Sequence, residues 1–138
     1  MGQNTSSTKK ATSYQSVNSY SIAERINSQV NASISYKTDL EQYNKPEHWV
    51  EATTFGDCED YALLKRAYLL EHGWDVDKIH LACCWTETGD YHCVLLVDTD
   101  SGWYALDNRH DSPMRPSTLG YTWDKALRED GKWYAISF

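Results

Sequence analysis

The sequence predicts an α+β domain in which helices pack on an antiparallel sheet. Apolar residues recur every four positions near the start of the chain, and a segment rich in Leu, Ala, Lys and Arg follows, so helices come first. Short apolar runs bounded by Gly, Asp, Thr or Ser fill the second half and are typical of strands. Helices followed by a run of strands favour the α+β class. With 138 residues and a 41% hydrophobic share, the chain fits one domain with a single core.

The first predicted helix carries a single apolar stripe. Four residues at a spacing of four form it: Ile22, Ile26, Val30 and Ile34. Residues 1–18 are rich in Ser, Thr, Asn and Gln and bury too little apolar surface to offset chain entropy, so we expect a flexible tail before a domain of residues 19–138. Residues 36–49 mix a Pro with polar and aromatic residues, which predicts a loop.

The second predicted helix covers residues 58–72. It is rich in good helix formers, Gly56 and Asp57 precede it, and Gly73 stands where the residue after a helix end is expected. Strands are predicted over residues 79–85, 91–98 and 103–106. A Pro-bearing loop over 111–120 follows, and the turn signal Asp130-Gly131 predicts a closing strand over 132–138.

Composition excludes several kinds of partner. The net charge is −7, with 20 acidic against 13 basic residues, so the counterion release that drives nucleic-acid binding is missing. No stretch approaches the roughly 18 apolar residues of a membrane span, and no apolar run of signal-peptide length opens the chain. We therefore expect that the encoded chain is cytoplasmic. Later release from the cell and association with a virion are the alternatives. Six Trp and ten Tyr would suit a groove for a protein or peptide substrate.

Cys58 is the candidate nucleophile. In the first turn of a helix, unpaired backbone N–H groups and the positive end of the helix dipole favour the thiolate over the thiol. The same donors would lie close to a tetrahedral oxyanion. Three acidic neighbours, Asp57, Glu59 and Asp60, oppose the thiolate unless a cation compensates. The alternative is that Cys58 is a small buried residue at a helix start.

His92 and Asp107 complete a possible triad. If the strands around residues 93–97 and 103–106 form a hairpin, residues whose numbers sum to about 200 face each other across it. His92 and Asp107 sum to 199, so the Asp107 carboxylate could accept a hydrogen bond from one imidazole nitrogen while the other faces Cys58. Taken singly, His92 could be an ordinary core or edge histidine and Asp107 a turn-capping residue.

The other cysteines are predicted to be core residues. Cys83, Cys84 and Cys93 lie in apolar runs, where a thiol packs and its pKa is raised. The four cysteines do not have the spread of a disulfide framework, which favours a reducing compartment. A zinc site formed by these three with His92 is the alternative, but the usual gaps of two to four residues between paired ligands are missing.

Three segments resemble the bacterial transglutaminase-like cysteine peptidases, which include periplasmic calcium-dependent proteases that cleave adhesins. They are GDCEDYALLK (56–65), YHCVLLV (91–97) and YALDN (104–108), within a likeness that runs from about Ser21 to the end of the chain. The resemblance implies a papain/transglutaminase-like core with Cys58 as nucleophile, His92 as general base and Asp107 as third member. It implies peptide-bond hydrolysis through an acyl-enzyme.

The same resemblance implies a Ca²⁺ site on Asp57 and Glu59, with Asp60 a weaker candidate. A bound cation would neutralise carboxylates that otherwise raise the thiol pKa. The alternative is that Asp57 caps the helix and the other two favour its dipole. Three functions stay open beside hydrolysis: amide transfer, cleavage of a cell-wall amide, and a non-catalytic calcium-binding or structural module of the same fold.

Overall fold

The computed structural model describes residues 18–41 and 55–138, with the side chains of 18–34 and 57–138. Two α-helices come first, α1 (Ser19–Glu41) and α2 (Phe55–Glu71). Five strands follow within the described residues: β1 (Ile79–Trp85), β2 (Tyr91–Thr99), β3 (Gly102–Leu106), β4 (Thr122–Leu127) and β5 (Trp133–Ala135). Short 3₁₀ helices, Val76–Lys78 and Pro116–Thr118, precede β1 and β4. The predicted α+β class is confirmed.

Both predicted helices are present, and both are longer than predicted. Ile26 and Val30 are buried in the core and the other two stripe residues pack against it, as the spacing of four predicted. The loop prediction is wrong for residues 36–41, which continue α1, because no Gly or Pro interrupts the chain before Pro46. Residues 42–49 and the predicted tail up to residue 17 lie outside the described residues. The second helix starts at Phe55, three residues before the predicted start.

The five strands form one antiparallel sheet in the order β3-β2-β1-β4-β5. The strand predicted over 79–85 matches β1, and those over 91–98 and 103–106 each fall one residue short of β2 and β3. The closing strand β5 is shorter than predicted. The sequence reading missed β4, whose residues are mostly exposed or half-buried, with only Ala126 fully buried, so it shows no strong alternation.

The sheet is buried on both faces, which explains the nearly unbroken apolar run of β2. Successive β2 side chains point to opposite sides. Cys93, Leu95 and Val97 pack in the core formed with α1 and α2. Val94 and Leu96 pack on the other face in a cluster that includes Tyr121. No helix among the described residues is long and apolar enough to span a membrane.

The register of β2 on β3 determines where the site forms. Leu95 pairs with Leu106, where β3 ends, so residues 91–94 of β2 extend past the end of β3. Continuing this register past Leu106 places residue 109 opposite His92 and leaves Asp107 diagonal to it. Diagonal neighbours are within reach of long side chains. The Asp107 side chain can therefore contact β2 at residues 91–94, which have no β3 partner.

Candidate active site

His92 and Asp107 form a buried hydrogen-bonded pair at this edge of the sheet. The imidazole Nε2 lies 2.7 Å from Asp107 Oδ1. His92 is the second residue of β2 and Asp107 directly follows β3, so the diagonal of the hairpin brings them together as its register predicts. The side chains are 5% and 0% exposed, which protects the bond from water. The contact through Nε2 leaves Nδ1 as the ring nitrogen for a second partner.

The Asp107 carboxylate is held by hydrogen bonds from three directions. Oδ1 also accepts a 3.0 Å bond from the backbone N–H of Arg109, and Oδ2 accepts a 2.5 Å bond from the hydroxyl of Tyr121. Burial opposes ionisation of Asp107, but the bonds from His92, Tyr121 and the Arg109 N–H outweigh it, so the pKa of Asp107 lies below its ordinary value. The carboxylate is therefore charged and fixed in position.

Cys58 lies next to the strand residue that follows His92. Its Sγ accepts a 3.2 Å hydrogen bond from the backbone N–H of Cys93. Cys58 is the fourth residue of α2 and is buried, in the same core cluster as Cys93. The structure thus brings the first turns of α2 and the start of β2 together.

The N–H groups at the helix start favour the Cys58 thiolate as predicted, but burial of the side chain outweighs them. Burial raises the pKa of the Cys58 thiol to about 11, and the Asp107 charge adds to this effect. Backbone N–H groups of Cys93, Cys58 and Glu59 do lower the pKa, as a helix start should, but they are outweighed. Ionisation of Cys58 at neutral pH therefore needs a proton acceptor.

The sequence reading missed Tyr121, which touches both His92 and Asp107. Beside its bond to Asp107, the Tyr121 ring meets the His92 ring edge-on, with centroids 5.7 Å apart and planes at 83°. Its hydroxyl accepts a 3.0 Å bond from Arg109 Nη1, and Arg109 Nη2 pairs with Glu87 at 2.6 Å. Tyr121 directly precedes the missed strand β4, and no local pattern marked it.

A small polar pocket opens beside His92. Its volume is about 240 Å³. The residues that line it come from the turn between β1 and β2, the start of β2 and the segment after Asp107: Thr86, Thr88, Asp90, Tyr91, His92, Asn108 and Arg109. The base is therefore reachable from a cavity of the size of one side chain.

The candidate calcium ligands lie near the start of α2. Asp57 and Glu59 are half-buried and Asp60 is exposed. Carboxylate oxygens are the donors that Ca²⁺ prefers, but the ion takes six to eight oxygens. Within the described part of the chain, no three or more His, Cys, Asp or Glu side chains are grouped as metal ligands. The donor chemistry fits calcium, and the remaining oxygens would have to come from carbonyls, water or other parts of the chain.

The three remaining cysteines are buried, as predicted, but the expected rise in thiol pKa is wrong for Cys83, whose pKa is lowered by a hydrogen bond with the Cys93 thiol. Cys83 and Cys93 are directly paired across β1 and β2, while Cys84 pairs with His92. Because Cys83 and Cys84 are consecutive strand residues, their side chains point to opposite faces of the sheet. The residues of the alternative zinc site are therefore divided between the two faces.

Comparison with known proteins gives one family match. Residues 2–137 match the model of the family described as bacterial transglutaminase-like cysteine proteinase BTLCP. No curated protein matches the chain.

Solved structures show the same fold. Calcium-bound Legionella pneumophila LapG matches with a TM-score of 0.51 and 19% identity, over 58% of this chain and 46% of that one. The EGTA-treated form of LapG matches with a TM-score of 0.52 and 20% identity, over 59% and 46%. The chain thus spans under half the length of these structures, and the likeness is one of fold.

Proposed function

The chain belongs to the bacterial transglutaminase-like cysteine proteinases, and we propose that it hydrolyses a peptide bond with Cys58 as nucleophile, His92 as general base and Asp107 as the residue that orients His92. Family membership indicates a cysteine peptidase with a protein substrate. One juxtaposition carries the assignment of residues. The Cys58 Sγ lies 3.2 Å from the backbone nitrogen of Cys93, the residue after His92. The His92 ring lies 2.7 Å from the Asp107 carboxylate.

The first step is removal of the Cys58 proton by His92. Burial keeps this thiol protonated at neutral pH, with a pKa of about 11, so the reaction requires a base. Because Nε2 of His92 is directed at Asp107, Nδ1 is the nitrogen that accepts the proton. The anionic Asp107 then stabilises the imidazolium and holds the ring in one orientation.

The remaining steps follow from the chemistry of a thiolate nucleophile. Cys58 attacks the carbonyl carbon of the scissile bond, and His92 returns its proton to the departing amine, which leaves a thioester. Water, deprotonated by His92, attacks the thioester and releases the carboxylic acid and the thiol. The backbone N–H groups at the start of α2 are candidate donors to the oxyanion, because a helix directs its N–H groups out of its N-terminal end.

We also propose a calcium site on Asp57 and Glu59, with Asp60 as a weaker ligand. The calcium-bound form of LapG supports it, since the fold is shared. A bound cation would offset the negative charge of carboxylates next to Cys58. Calorimetric titration with Ca²⁺ should give binding heat for the wild type, much less for Asp57→Ala, and wild-type heat for the control Asp75→Ala. Absence of heat in the wild type removes calcium from the proposal.

The catalytic assignment is tested by the rate at which iodoacetamide labels Cys58. Peptide mapping separates this cysteine from the other three. General-base assistance is worth about 10²–10⁴-fold, so we expect His92→Ala to slow labelling by at least tenfold at neutral pH. His72→Ala serves as the matched control, because His72 bonds the carbonyl of Tyr68 within α2. Equally slow labelling in wild type and His92→Ala would contradict activation by His92 and favour a non-catalytic module.

Hydrolysis itself is tested with an activity-based thiol probe followed by a proteomic search for cleaved proteins. We expect new peptide termini that depend on Cys58 and are lost in Cys58→Ala. Crosslinked or amine-modified glutamines in place of new termini would identify amide transfer instead.

A further inference from the structure

Cys83 and Cys93 face each other across the neighbouring strands β1 and β2. The register pairs them directly, and their side chains are 3% and 1% exposed. Both are free thiols, and the two thiols are hydrogen-bonded to each other. Directly paired residues share one face of a sheet, so both sulfur atoms lie on the side where Cys93 packs in the core formed with the helices.

The pair occupies a position where cross-strand side chains are closest. Opposite residues in antiparallel strands alternate between hydrogen-bonded and non-hydrogen-bonded pairs, and side chains lie closer in the second kind. The N–H of Thr86 donates to the carbonyl of Asp90 at 2.8 Å, which makes these residues a hydrogen-bonded pair just beyond the strand ends. Three steps along each strand from this pair lead to Cys83 and Cys93, which are therefore a non-hydrogen-bonded pair.

The backbone of Cys93 agrees with this assignment. In a non-hydrogen-bonded pair, each N–H points away from the partner strand. The N–H of Cys93 indeed donates to Sγ of Cys58, at 3.2 Å. Cys93 is thus held on one side by its hydrogen bond to Cys58, while its thiol contacts Cys83 on β1.

This geometry fits a disulfide. The Cα atoms of a non-hydrogen-bonded pair are about 4.5 Å apart. Disulfides span Cα separations of about 4.4–6.8 Å. A bond between Cys83 and Cys93 therefore needs neither a change of register nor a separation of the strands.

The surroundings make Cys83 the reactive member of the pair. The hydrogen bond with the Cys93 thiol lowers the pKa of Cys83 to about 7, against the effect of burial, and the same bond raises the pKa of Cys93. The thiolate is the form that reacts with peroxides. Tyr91, whose hydroxyl also bonds Cys83, lines the pocket beside His92, so one side chain separates Cys83 from that cavity.

We propose that Cys83 and Cys93 are a redox pair, which hydrogen peroxide converts to a reversible disulfide that joins β1 to β2 next to Cys58. The inference goes beyond the proposed function, because formation of this bond is measured without a substrate and without catalysis.

The reaction consumes one peroxide. The Cys83 thiolate attacks an oxygen of hydrogen peroxide, the O–O bond breaks, and Cys83 sulfenic acid forms with a hydroxide ion that takes up the proton lost by Cys83. The Cys93 sulfur then attacks the sulfenic sulfur. The S–S bond forms, the S–O bond breaks, and the departing hydroxide takes the Cys93 proton. Two thiols are oxidised by two electrons in total, and the peroxide is reduced to two water molecules.

The disulfide changes how firmly the start of β2 is held. Exchange of backbone N–H groups in a sheet requires local opening of the strands, and a covalent link between β1 and β2 opposes this opening. The restraint acts on the strand that carries His92 and on the N–H that contacts Cys58. The oxidation state of the pair is therefore transmitted to the candidate active site.

Peptide mapping of the wild-type chain tests the proposal. The protein is treated with hydrogen peroxide, remaining thiols are blocked with iodoacetamide, and a protease that cleaves after Glu87 places Cys83 and Cys93 on separate peptides. We expect mass spectrometry to show the two peptides linked, and dithiothreitol to separate them. A peroxide-treated wild type without this link, or with sulfinic acid on Cys83 in its place, overturns the proposal.

Cys84 provides the matched control. It is the next residue of β1 and is equally buried, but its side chain points to the opposite face and its thiol donates to the carbonyl of His92 at 3.7 Å. Cys84→Ser should keep the linked peptides, whereas Cys83→Ser and Cys83→Ala should lose them. A link from Cys84 or Cys58 to Cys93 contradicts the assignment of the pair.

Hydrogen–deuterium exchange measures the restraint on β2. We expect exchange within residues 91–97 to slow roughly tenfold in the oxidised wild type and to recover after reduction. Unchanged exchange overturns the proposed link between the redox pair and the site. Failure of the catalytic assignment is recognised separately, since His92→Ala then labels at Cys58 like the wild type, and it leaves the disulfide result untouched.

Discussion

The hydroxyl of Tyr121 donates a 2.5 Å hydrogen bond to Oδ2 of Asp107, whose Oδ1 is taken by the His92 ring and the Arg109 backbone. Tyr121 directly precedes β4, whereas Asp107 directly follows β3, and two strands separate β3 from β4 in the sheet. This hydrogen bond therefore connects the segment before β4 with Asp107, the carboxylate that orients the proposed base His92.

Tyr121→Phe should remove the hydrogen bond that positions the Asp107 carboxylate while preserving the ring contact with His92. Loss of a buried hydrogen bond to a charged group is expected to lower the free energy of unfolding by about 1.5–3 kcal/mol at neutral pH. We also expect slower labelling of Cys58, since the base loses its fixed orientation. Urea unfolding and the iodoacetamide rate measure the two effects.

The same substitution should move acid unfolding to higher pH. The pKa of Asp107 is depressed in the folded protein, so its contribution to stability is present above the ordinary carboxyl pKa and is lost as the pH falls through the folded value. Without the Tyr121 hydroxyl the folded pKa rises, and the loss begins at higher pH. Far-UV circular dichroism against pH measures the midpoint. Tyr134→Phe is the control, because Tyr134 makes a 2.5 Å bond to the exposed Asp130, and its midpoint should match the wild type.

Asn31→Ala should loosen α1 from the segment that carries Asp107. The Asn31 amide donates to the backbone carbonyls of Asp107 and His110 at 3.1 and 3.0 Å. Each carbonyl keeps one other donor, the His110 N–H for Asp107 and the Asn27 amide for His110, so each lost bond should cost about 0.5–1.5 kcal/mol. We therefore expect a lower Tm together with slower labelling of Cys58. The control is Asn27→Ala, which removes bonds to His110 and Asp111 and should lower Tm while labelling changes little. Equal labelling rates in both variants would contradict a role of Asn31 in placing Asp107.

Glu87→Gln should have little effect, although it breaks a short ion pair. Glu87 is 53% exposed, and its partner Arg109 lies partly in solvent, where ion pairs contribute little. Hydrogen bonds from Arg109 lower the pKa of Glu87 to about 2, but the exposed site is screened by water and salt. We expect an unchanged Tm and an unchanged labelling rate. A clear loss of either would mean that Arg109 needs Glu87 to support Tyr121.

The sequence by itself determined the α+β class, the two helices, the first three strands and the pairing of His92 with Asp107. These features depend on short-range patterns: the spacing of four in α1, the apolar runs of β1 to β3, and a hairpin whose register follows from a turn of a few residues. The turn that joins β2 and β3 is short, so counting along the chain was enough to predict that His92 and Asp107 are cross-strand neighbours, directly opposite or diagonal.

Only the tertiary structure decided what surrounds the site. Tyr121 reaches Asp107 because β4 pairs on the far side of β1, and local alternation does not specify such a pairing. Lys65 appears in the sequence as an ordinary helix residue and is buried only because α2 packs on the sheet. The same burial raises the pKa of Cys58 and outweighs the effect of the backbone N–H groups at the helix start. Burial and charge depend on every element that packs around a residue, and no local pattern contains that information.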